Sequence, residues 1–307
     1  MSGAFIDGFV IKLQSGYYSV QTASDLITCQ LRGRLKKKAI SEDLVAVGDQ
    51  VQISLINHQE GTIEKIKPRV KMLVRSAPTP RGEYKQILLA NLDLVVFVFA
   101  CTQPIPHLRM LDRFLVIAEK QEIPALIIVN KVDLVGEEQA KKIFSVYPTL
   151  GYSVIYTSAR TSLGLNEFKH KLKGKISAMT GPSGTGKTSL LNLLQPGLGL
   201  KVREVSRSTT KGRHSTVVRE LFPIGGNGFL ADLPGIRSLT LWDVNREELD
   251  GYFPEIRDLV SKCRFNNCSH RDEPGCAIKV AVQTGQIHTE RYQSYLKLRE
   301  SIKATNW

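Results

Sequence analysis

A chain of 307 residues with 42% hydrophobic content exceeds one ordinary domain and carries apolar material for two or three separate cores. Its longest apolar run, residues 92–101, contains Asp93 and is about half the ~20 residues a membrane span needs, which excludes a spanning helix there. The amino terminus lacks a basic stretch followed by an apolar core and a small-residue cleavage site, so a cytoplasmic protein with no membrane partner is expected.

The net charge of +13 argues for a polyanionic partner, and the excess is local. Basic and acidic side chains number nine and seven in residues 1–70, 23 and 12 in 71–240, and ten each in 241–307.

Residues 1–68 read as five short strands at 5–13, 17–22, 26–31, 49–56 and 62–66, alternating apolar with polar side chains and punctuated by Gly16, Gly33, Gly48 and Gly61. That pattern predicts a small closed barrel of the OB type, a fold that commonly binds oligonucleotides. The basic run Arg32, Arg34, Lys36, Lys37 and Lys38 leaves the third strand, either as an RNA contact or as a solvated loop. Residues 76–82, with Pro78, Pro80 and Gly82, are expected to form a linker without strand pairing.

From residue 69 to 240 strands alternate with helices: strands at 94–100, 125–129, 153–156 and 175–180, helices at 108–120, 137–144 and 164–173. This alternation predicts an α/β domain, a parallel sheet covered on both faces. Its strand ends carry four short motifs. The first is Asn130, Lys131, Val132 and Asp133; the second is Thr157, Ser158 and Ala159. The third, Gly181, Pro182, Ser183, Gly184, Thr185, Gly186, Lys187 and Thr188, lies between an apolar strand and a helical run that begins at Ser189. There it has the context of a phosphate loop, whose backbone N–H groups and helix N-terminus face phosphate oxygens. Lys187 would reach the β- and γ-phosphates and Thr188 would ligate magnesium. The carboxylate of Asp133 matches the two donors of guanine, N1–H and the exocyclic amine, a pair adenine lacks, so GTP is expected over ATP. Lys131 would lie along the base and Ser158 and Ala159 would close the pocket.

The fourth motif, Asp232 to Gly235, follows a short strand at 228–231. Asp232 would hold magnesium through water, and the Gly235 N–H would sense the γ-phosphate. Ile236 comes next, where Ras-like enzymes place a glutamine that orients water. An aliphatic group makes no such hydrogen bond, so slow intrinsic hydrolysis is expected. His214, in the intervening basic segment 201–219, is the candidate catalytic group, against its reading as an ordinary surface histidine. A second magnesium hydroxyl comes from Ser215 or Thr216; Thr216 is taken as the ligand, with both open. The motif order is rotated: the guanine motifs precede the phosphate loop.

Residues 241–307 read as helical and irregular, ending in a helix at 290–302 that places Tyr292, Tyr295, Leu296 and Ile302 near one face. Cys263, Cys268, His270 and Cys276 lie within fourteen residues, a donor set for one closed tetrahedral zinc ion in a zinc-binding domain. Disulfides are the competing reading, disfavoured by the unpaired third cysteine and the lack of an export signal. Cys29 and Cys101 lie in apolar strands and read as core residues.

Together the rotated order, the amino-terminal barrel, the aliphatic Ile236 and the Cys263–Cys276 element resemble the RsgA family, also called YjeQ or YloQ, of circularly permuted GTPases. The resemblance covers essentially the whole chain. It implies a GTPase that binds the small ribosomal subunit and its rRNA, is stimulated by it, acts in late maturation and releases other assembly factors. It also implies that His214 is catalytic, zinc is structural and GTP acts with magnesium, and that the protein works as a monomer. In many members of the family a run of threonines follows that histidine; here Ser215, Thr216 and Val217 stand instead. The alternative is a GTP-controlled RNA-binding module in which hydrolysis is incidental.

Overall fold

The structure, a computed structural model, describes residues 5–36, 44–79, 82–199, 220–233 and 244–302. Strands β1 (Ile6–Gln14), β2 (Tyr17–Thr22), β3 (Leu26–Leu31), β4 (Gln50–Leu55) and β5 (Glu60–Ile66) close into a barrel in the order β1-β2-β3-β5-β4. A single helical turn, α1 (Gly33–Lys36), follows β3. The barrel interior holds Val10, Val20, Ile27, Cys29, Val51, Ile53 and Ile63, the alternate residues of each strand, as a period of two requires. Arg32 of the basic run forms an ion pair with Glu64 on β5; residues 37 and 38 of that run lie outside the described residues.

The expected linker at 76–82 is corrected by the structure. Strands β6 (Met72–Thr79) and β7 (Gly82–Ala90) form a two-stranded antiparallel ribbon, with Pro78 opposite Glu83. Both strands of a two-stranded ribbon are edges, so alternate N–H groups point outward and a proline there removes no ladder bond.

A six-stranded sheet follows in the order β10-β9-β8-β11-β13-β12. Its strands are β8 (Leu94–Ala100), β9 (Ala125–Asn130), β10 (Ser153–Tyr156), β11 (Ile176–Thr180), β12 (Phe222–Pro223) and β13 (Phe229–Asp232); only β12 pairs antiparallel. Every residue of β8 is buried. Val95, Phe97 and Phe99 enter one core with α2 (Leu108–Lys120) and α3 (Glu137–Phe144), while Leu94, Val96 and Val98 enter a second with α5 (Leu165–Leu172) and α6 (Lys187–Leu194). Helices on both faces are what make the central strands apolar throughout. The short helix α4 (Val146–Thr149) precedes β10.

The barrel is fastened to the open edge of this sheet. Leu221 N–H donates to the Ile11 carbonyl at 2.7 Å, Lys12 pairs with Glu220 at 3.0 Å, and Phe9 meets Phe229 edge-on with ring centroids 5.0 Å apart. Gly48, at φ +88°, lies against β7 so closely that a Cβ would fall 2.0 Å from the Ala90 carbonyl oxygen.

The C-terminal part contains α7 (Pro254–Arg257), α8 (Ala277–Gln283) and α9 (Thr289–Ser301) around a third core that includes Phe253, Tyr295, Leu298 and Ile302. Tyr295 and Ile302 of the expected stripe are buried; Tyr292 and Leu296 pack at its margin. This core also takes in Val116 of α2. Beside it, buried Arg291 of α9 donates to Asp112 of α2 at 2.5 Å and to Glu255 of α7 at 2.7 and 3.2 Å, and Tyr147 donates to Asp112 at 2.9 Å. Removing one member strands the others in a low-dielectric interior. Arg291→Met is therefore expected to destabilise the protein by about 3–5 kcal/mol in urea unfolding, and a loss under about 1 kcal/mol would show the network to be dispensable.

Candidate functional site

The loops after β9, β10 and β11 and the end of β13 at Asp232 lie at the carboxyl ends of parallel strands, the edge where ligands sit in open α/β sheets. The phosphate loop leaves β11, and two of its glycines are required by contact. At Gly181, φ is +152° and a Cβ would lie 2.0 Å from the Val98 carbonyl oxygen; at Gly186, φ is +92° and a Cβ would lie 2.3 Å from Asn130 Nδ2. Lys187, Thr188 and Ser189 form the first turn of α6. Lys187 Nζ donates to the carbonyls of Gly181 and Pro182, both at 2.8 Å, so the ammonium is held across the mouth of its own loop. Thr185 Oγ1 donates back to Pro182 O at 3.0 Å, bracing the turn that carries Ser183 and Gly184.

Asn130 ends β9 and joins three of the four motifs. Its Nδ2 donates to Thr185 O of the phosphate loop at 2.8 Å. Its Oδ1 accepts from Ala159 N–H and from Thr157 Oγ1, each at 3.2 Å. Asn130, Thr157 and Ser158 are all buried, so these bonds have no water to compete with them. Gly186→Ala places its methyl group against Asn130 and is expected to weaken guanine-nucleotide binding at least about tenfold, near 1.4 kcal/mol. Nucleotide affinity within about twofold of wild type, measured by fluorescence titration, would show that this bracing is not needed.

Lys131 adopts φ +66°, and Val132 to Leu134 form a single 3-10 turn that presents Asp133. Ser158 Oγ donates to Asp133 Oδ1 at 2.6 Å and itself accepts from the N–H groups of Arg160 and Thr161 at 3.2 Å. The second motif therefore sets the carboxylate of the first. Lys131 Nζ donates to the Gln103 carbonyl, and buried Cys101 donates from Sγ to Lys131 O at 3.1 Å. Cys101 is thus a core residue, as expected, with a further part in holding the guanine-motif turn. Burial raises its thiol pKa above the ordinary value.

Asp232 ends β13 beside Met179 of β11. Its carboxylate is largely buried, which raises its pKa, with the Lys187 charge opposing; burial likewise lowers the pKa of Lys187, with Asp232 opposing. Asp232 Oδ1 is buried and has no hydrogen-bond partner among the described residues. An orphaned anionic oxygen at a phosphate loop, with the Thr188 hydroxyl on the neighbouring helix turn, fits a hard cation such as magnesium. His214, Ser215, Thr216, Gly235 and Ile236 lie outside the described residues. Beside the loop opens an apolar cleft of about 300 Å³, walled by Phe99, Ile105, Met110 and Phe114. Helix α2 thus touches the phosphate-loop cleft with Met110 and Phe114 and the C-terminal core with Val116.

The second site is the cysteine cluster. The ligand atoms of Cys263, Cys268, His270 and Cys276 all lie within 4.8 Å of one another. His270 Nδ1 is 3.5 Å from Cys263 Sγ and 3.6 Å from Cys276 Sγ, and its Nε2 is 3.2 Å from Asp250 Oδ2. The carboxylate thus orients the ring so that Nδ1 faces the thiols, the usual outer-shell partner of a metal-bound histidine. Asp250 is missed by sequence reading, since nothing in a spacing of twenty residues marks it. All five cysteines are free thiols, so the disulfide reading fails and the donor set fits one tetrahedral zinc ion.

Comparisons with known proteins cover nearly all of the chain. A family model described as RsgA GTPase matches residues 66–242, and one described as RsgA N-terminal domain matches residues 7–63. A protein of Gemmatimonas aurantiaca named small ribosomal subunit biogenesis GTPase RsgA is 44% identical over 96% of this chain and 97% of its own length. A protein of the same name from Moorella thermoacetica is 40% identical over 97% and 98%. The crystal structure of YjeQ from Thermotoga maritima superposes with a TM-score of 0.80 at 34% identity, covering 97% of this chain and 98% of that one. The structure of YloQ, described as a circularly permuted GTPase, superposes with a TM-score of 0.76 at 32% identity, covering 97% and 95%.

Proposed function

The chain belongs to the RsgA GTPase family, and from that premise we propose that it binds the small ribosomal subunit and its rRNA in late maturation. There it hydrolyses GTP to GDP and phosphate under stimulation by the subunit and helps release other assembly factors, acting as a monomer in the cytoplasm. The observation that carries the site assignment is Asn130, whose side chain locks the guanine turn, the Ser158–Ala159 strand end and the phosphate loop into one pocket.

In this reading Asp133 accepts two hydrogen bonds from guanine, Lys131 covers the base, and Ser158 keeps the carboxylate aimed. Lys187 leaves the two carbonyls that hold it and moves to the β- and γ-phosphates, a transfer favoured by exchanging neutral acceptors for anionic ones. Thr188 and Asp232, with Thr216 or Ser215, would hold magnesium, which when bound neutralises phosphate oxygens. His214 orients the attacking water, and the Gly235 N–H reports the γ-phosphate. Cys263, Cys268, His270 and Cys276 would hold one zinc ion that fixes the fold of residues 241–307. Residues 1–68, 69–240 and 241–307 are taken as the three working units.

The structure supports two mechanical links. The segment carrying His214 ends at Glu220 and Leu221, which bind β1 of the barrel. The segment after Asp232 leaves the sheet core at Leu233 and enters the C-terminal core at Val244. Nucleotide state would therefore bear on both RNA-contacting arms.

The second reading is a GTP-controlled RNA-binding module in which hydrolysis is incidental; Ile236 has no group to orient water, so slow intrinsic hydrolysis is expected under both readings. Turnover separates the two. Small subunits are expected to stimulate hydrolysis well above threefold, and His214→Ala to lower the stimulated rate by about 10²–10³. Weaker stimulation, or an unchanged His214→Ala rate, favours the module.

A further inference from the structure

The peptide groups of Asn130 and Lys131, which lead into the turn presenting Asp133, are held from outside the four motifs by the chain just beyond β8. Cys101 N–H donates to the Asn130 carbonyl at 3.0 Å, and its thiol donates to the next carbonyl, that of Lys131, at 3.1 Å. Consecutive carbonyls of the guanine motif therefore rest on one residue. The Lys131 side chain turns to the same segment, since its ammonium donates to the Gln103 carbonyl.

The Lys131 carbonyl is also the one that closes the turn. It accepts from Leu134 N–H at 3.0 Å, so the thiol and the 3-10 turn carrying Asp133 meet at a single oxygen. Lys131 stands there at φ +66° and ψ +32°, a left-handed conformation that a residue with a side chain keeps only when its surroundings hold it. Cys101 is 3% exposed and belongs to the same core as Val129 and Val132. In such surroundings a thiol fills space like a small apolar group and still offers a donor. Burial raises its pKa, the nearby Asp133 charge acting in the same direction, so the thiol stays protonated and keeps that donor.

We propose that Cys101 is a positioning residue for base selectivity: by holding the Lys131 carbonyl it fixes the direction in which the Asp133 carboxylate meets the two donors of guanine. A paired contact depends on direction more than a single one does, so a turn that relaxes loses the second bond first. The role rests on the reading of Asp133 as the guanine partner and adds to it a residue, besides Ser158, that aims the carboxylate.

The test uses Cys101→Val and Cys101→Thr in the full chain. The two replacements have nearly the same shape and differ in the hydroxyl, so only Thr can donate to the Lys131 carbonyl. Cys29→Val, the same exchange in the barrel core, is the control. Affinities for GTP and ITP are read by competition with a fluorescent guanine nucleotide, and thermal unfolding is recorded for each variant. Hypoxanthine lacks the exocyclic amine, so ITP offers Asp133 one donor where GTP offers two, and the ratio of the two affinities reports how well the carboxylate is aimed. Cys101→Val is expected to lower the preference for GTP at least about threefold, while Cys101→Thr and Cys29→Val stay within about twofold of wild type. A thiol that served packing alone would lower the melting temperature of Cys101→Val and leave the preference where it is.

A preference that falls less than about threefold in Cys101→Val overturns the role, and so does Cys101→Thr losing as much as Cys101→Val. Should Cys101→Val not fold, Cys101→Ala, which removes the donor and leaves the space open, is held to the same threshold. If wild type binds GTP and ITP alike, Asp133 does not read the base and the role falls with that reading. A wild-type preference for GTP that Cys101→Val retains removes Cys101 alone.

Discussion

Asp133→Asn is expected to lose GTP by on the order of a thousandfold and to gain xanthosine triphosphate, because the change inverts one hydrogen-bonding edge. Guanine presents two donors to the carboxylate. An asparagine answers them with one acceptor and one donor, leaving two donors opposed in a site that excludes water. Xanthine carries a carbonyl where guanine carries its amine, so the Asn amide pairs with it. The geometry makes the substitution clean: Asp133 sits on a single 3-10 turn, and Ser158 Oγ, which now donates to its Oδ1 at 2.6 Å, can donate equally to the Asn carbonyl. The turn should therefore survive. Competition between GTP and XTP for a fluorescent nucleotide reads the outcome; GTP affinity within about tenfold of wild type would mean that another group chooses the base.

Cys276→Ala is expected to abolish zinc binding and melt the C-terminal part. Wild-type protein should contain one equivalent of zinc and the variant well under half, with an unfolding transition lowered by about 10 °C or more. The size of the effect follows from where the cluster sits. Cys268 and Cys276 are members of the same core as Phe253 and Tyr295, and the loop carrying His270 is tied to α9 by Tyr292, whose hydroxyl donates to the His270 carbonyl at 2.6 Å. Without the ion this loop loses the cross-link that closes it, and α9 carries Arg291 of the buried network with it. A variant with wild-type zinc content and melting behaviour would remove Cys276 from the ligand set. A variant that loses zinc but keeps its melting temperature would show the packing to be sufficient alone.

Much of this was legible before any coordinates. Strands β2, β3, β8 and β10 and helices α2 and α3 fall at the expected residues, because their apolar spacing repeats within a few positions and is cut by Gly, Pro and polar turns. The residues of the phosphate loop and the Cys263–Cys276 cluster were equally legible, since both are made by contiguous chain. Pro78 misled, because proline chemistry forbids strand pairing only where the missing N–H is needed, and which edge a strand presents is not written locally. Nothing in the sequence around Arg291 marks it as buried. Its burial depends on Asp112, 179 positions away.

By itself the sequence determined the set of chemical groups, the rotated order in which they occur, and the local elements that carry them, all properties of short-range spacing. Tertiary structure alone decided that Asn130 would brace three motifs at once, that α2 would touch both the phosphate-loop cleft and the zinc-side core, and that Glu220 would pair with the barrel. Each of these joins segments far apart in the chain. Such contacts are selected by the packing of whole faces and by the cost of burying unpaired polar groups, and neither leaves a periodic mark in the residues themselves.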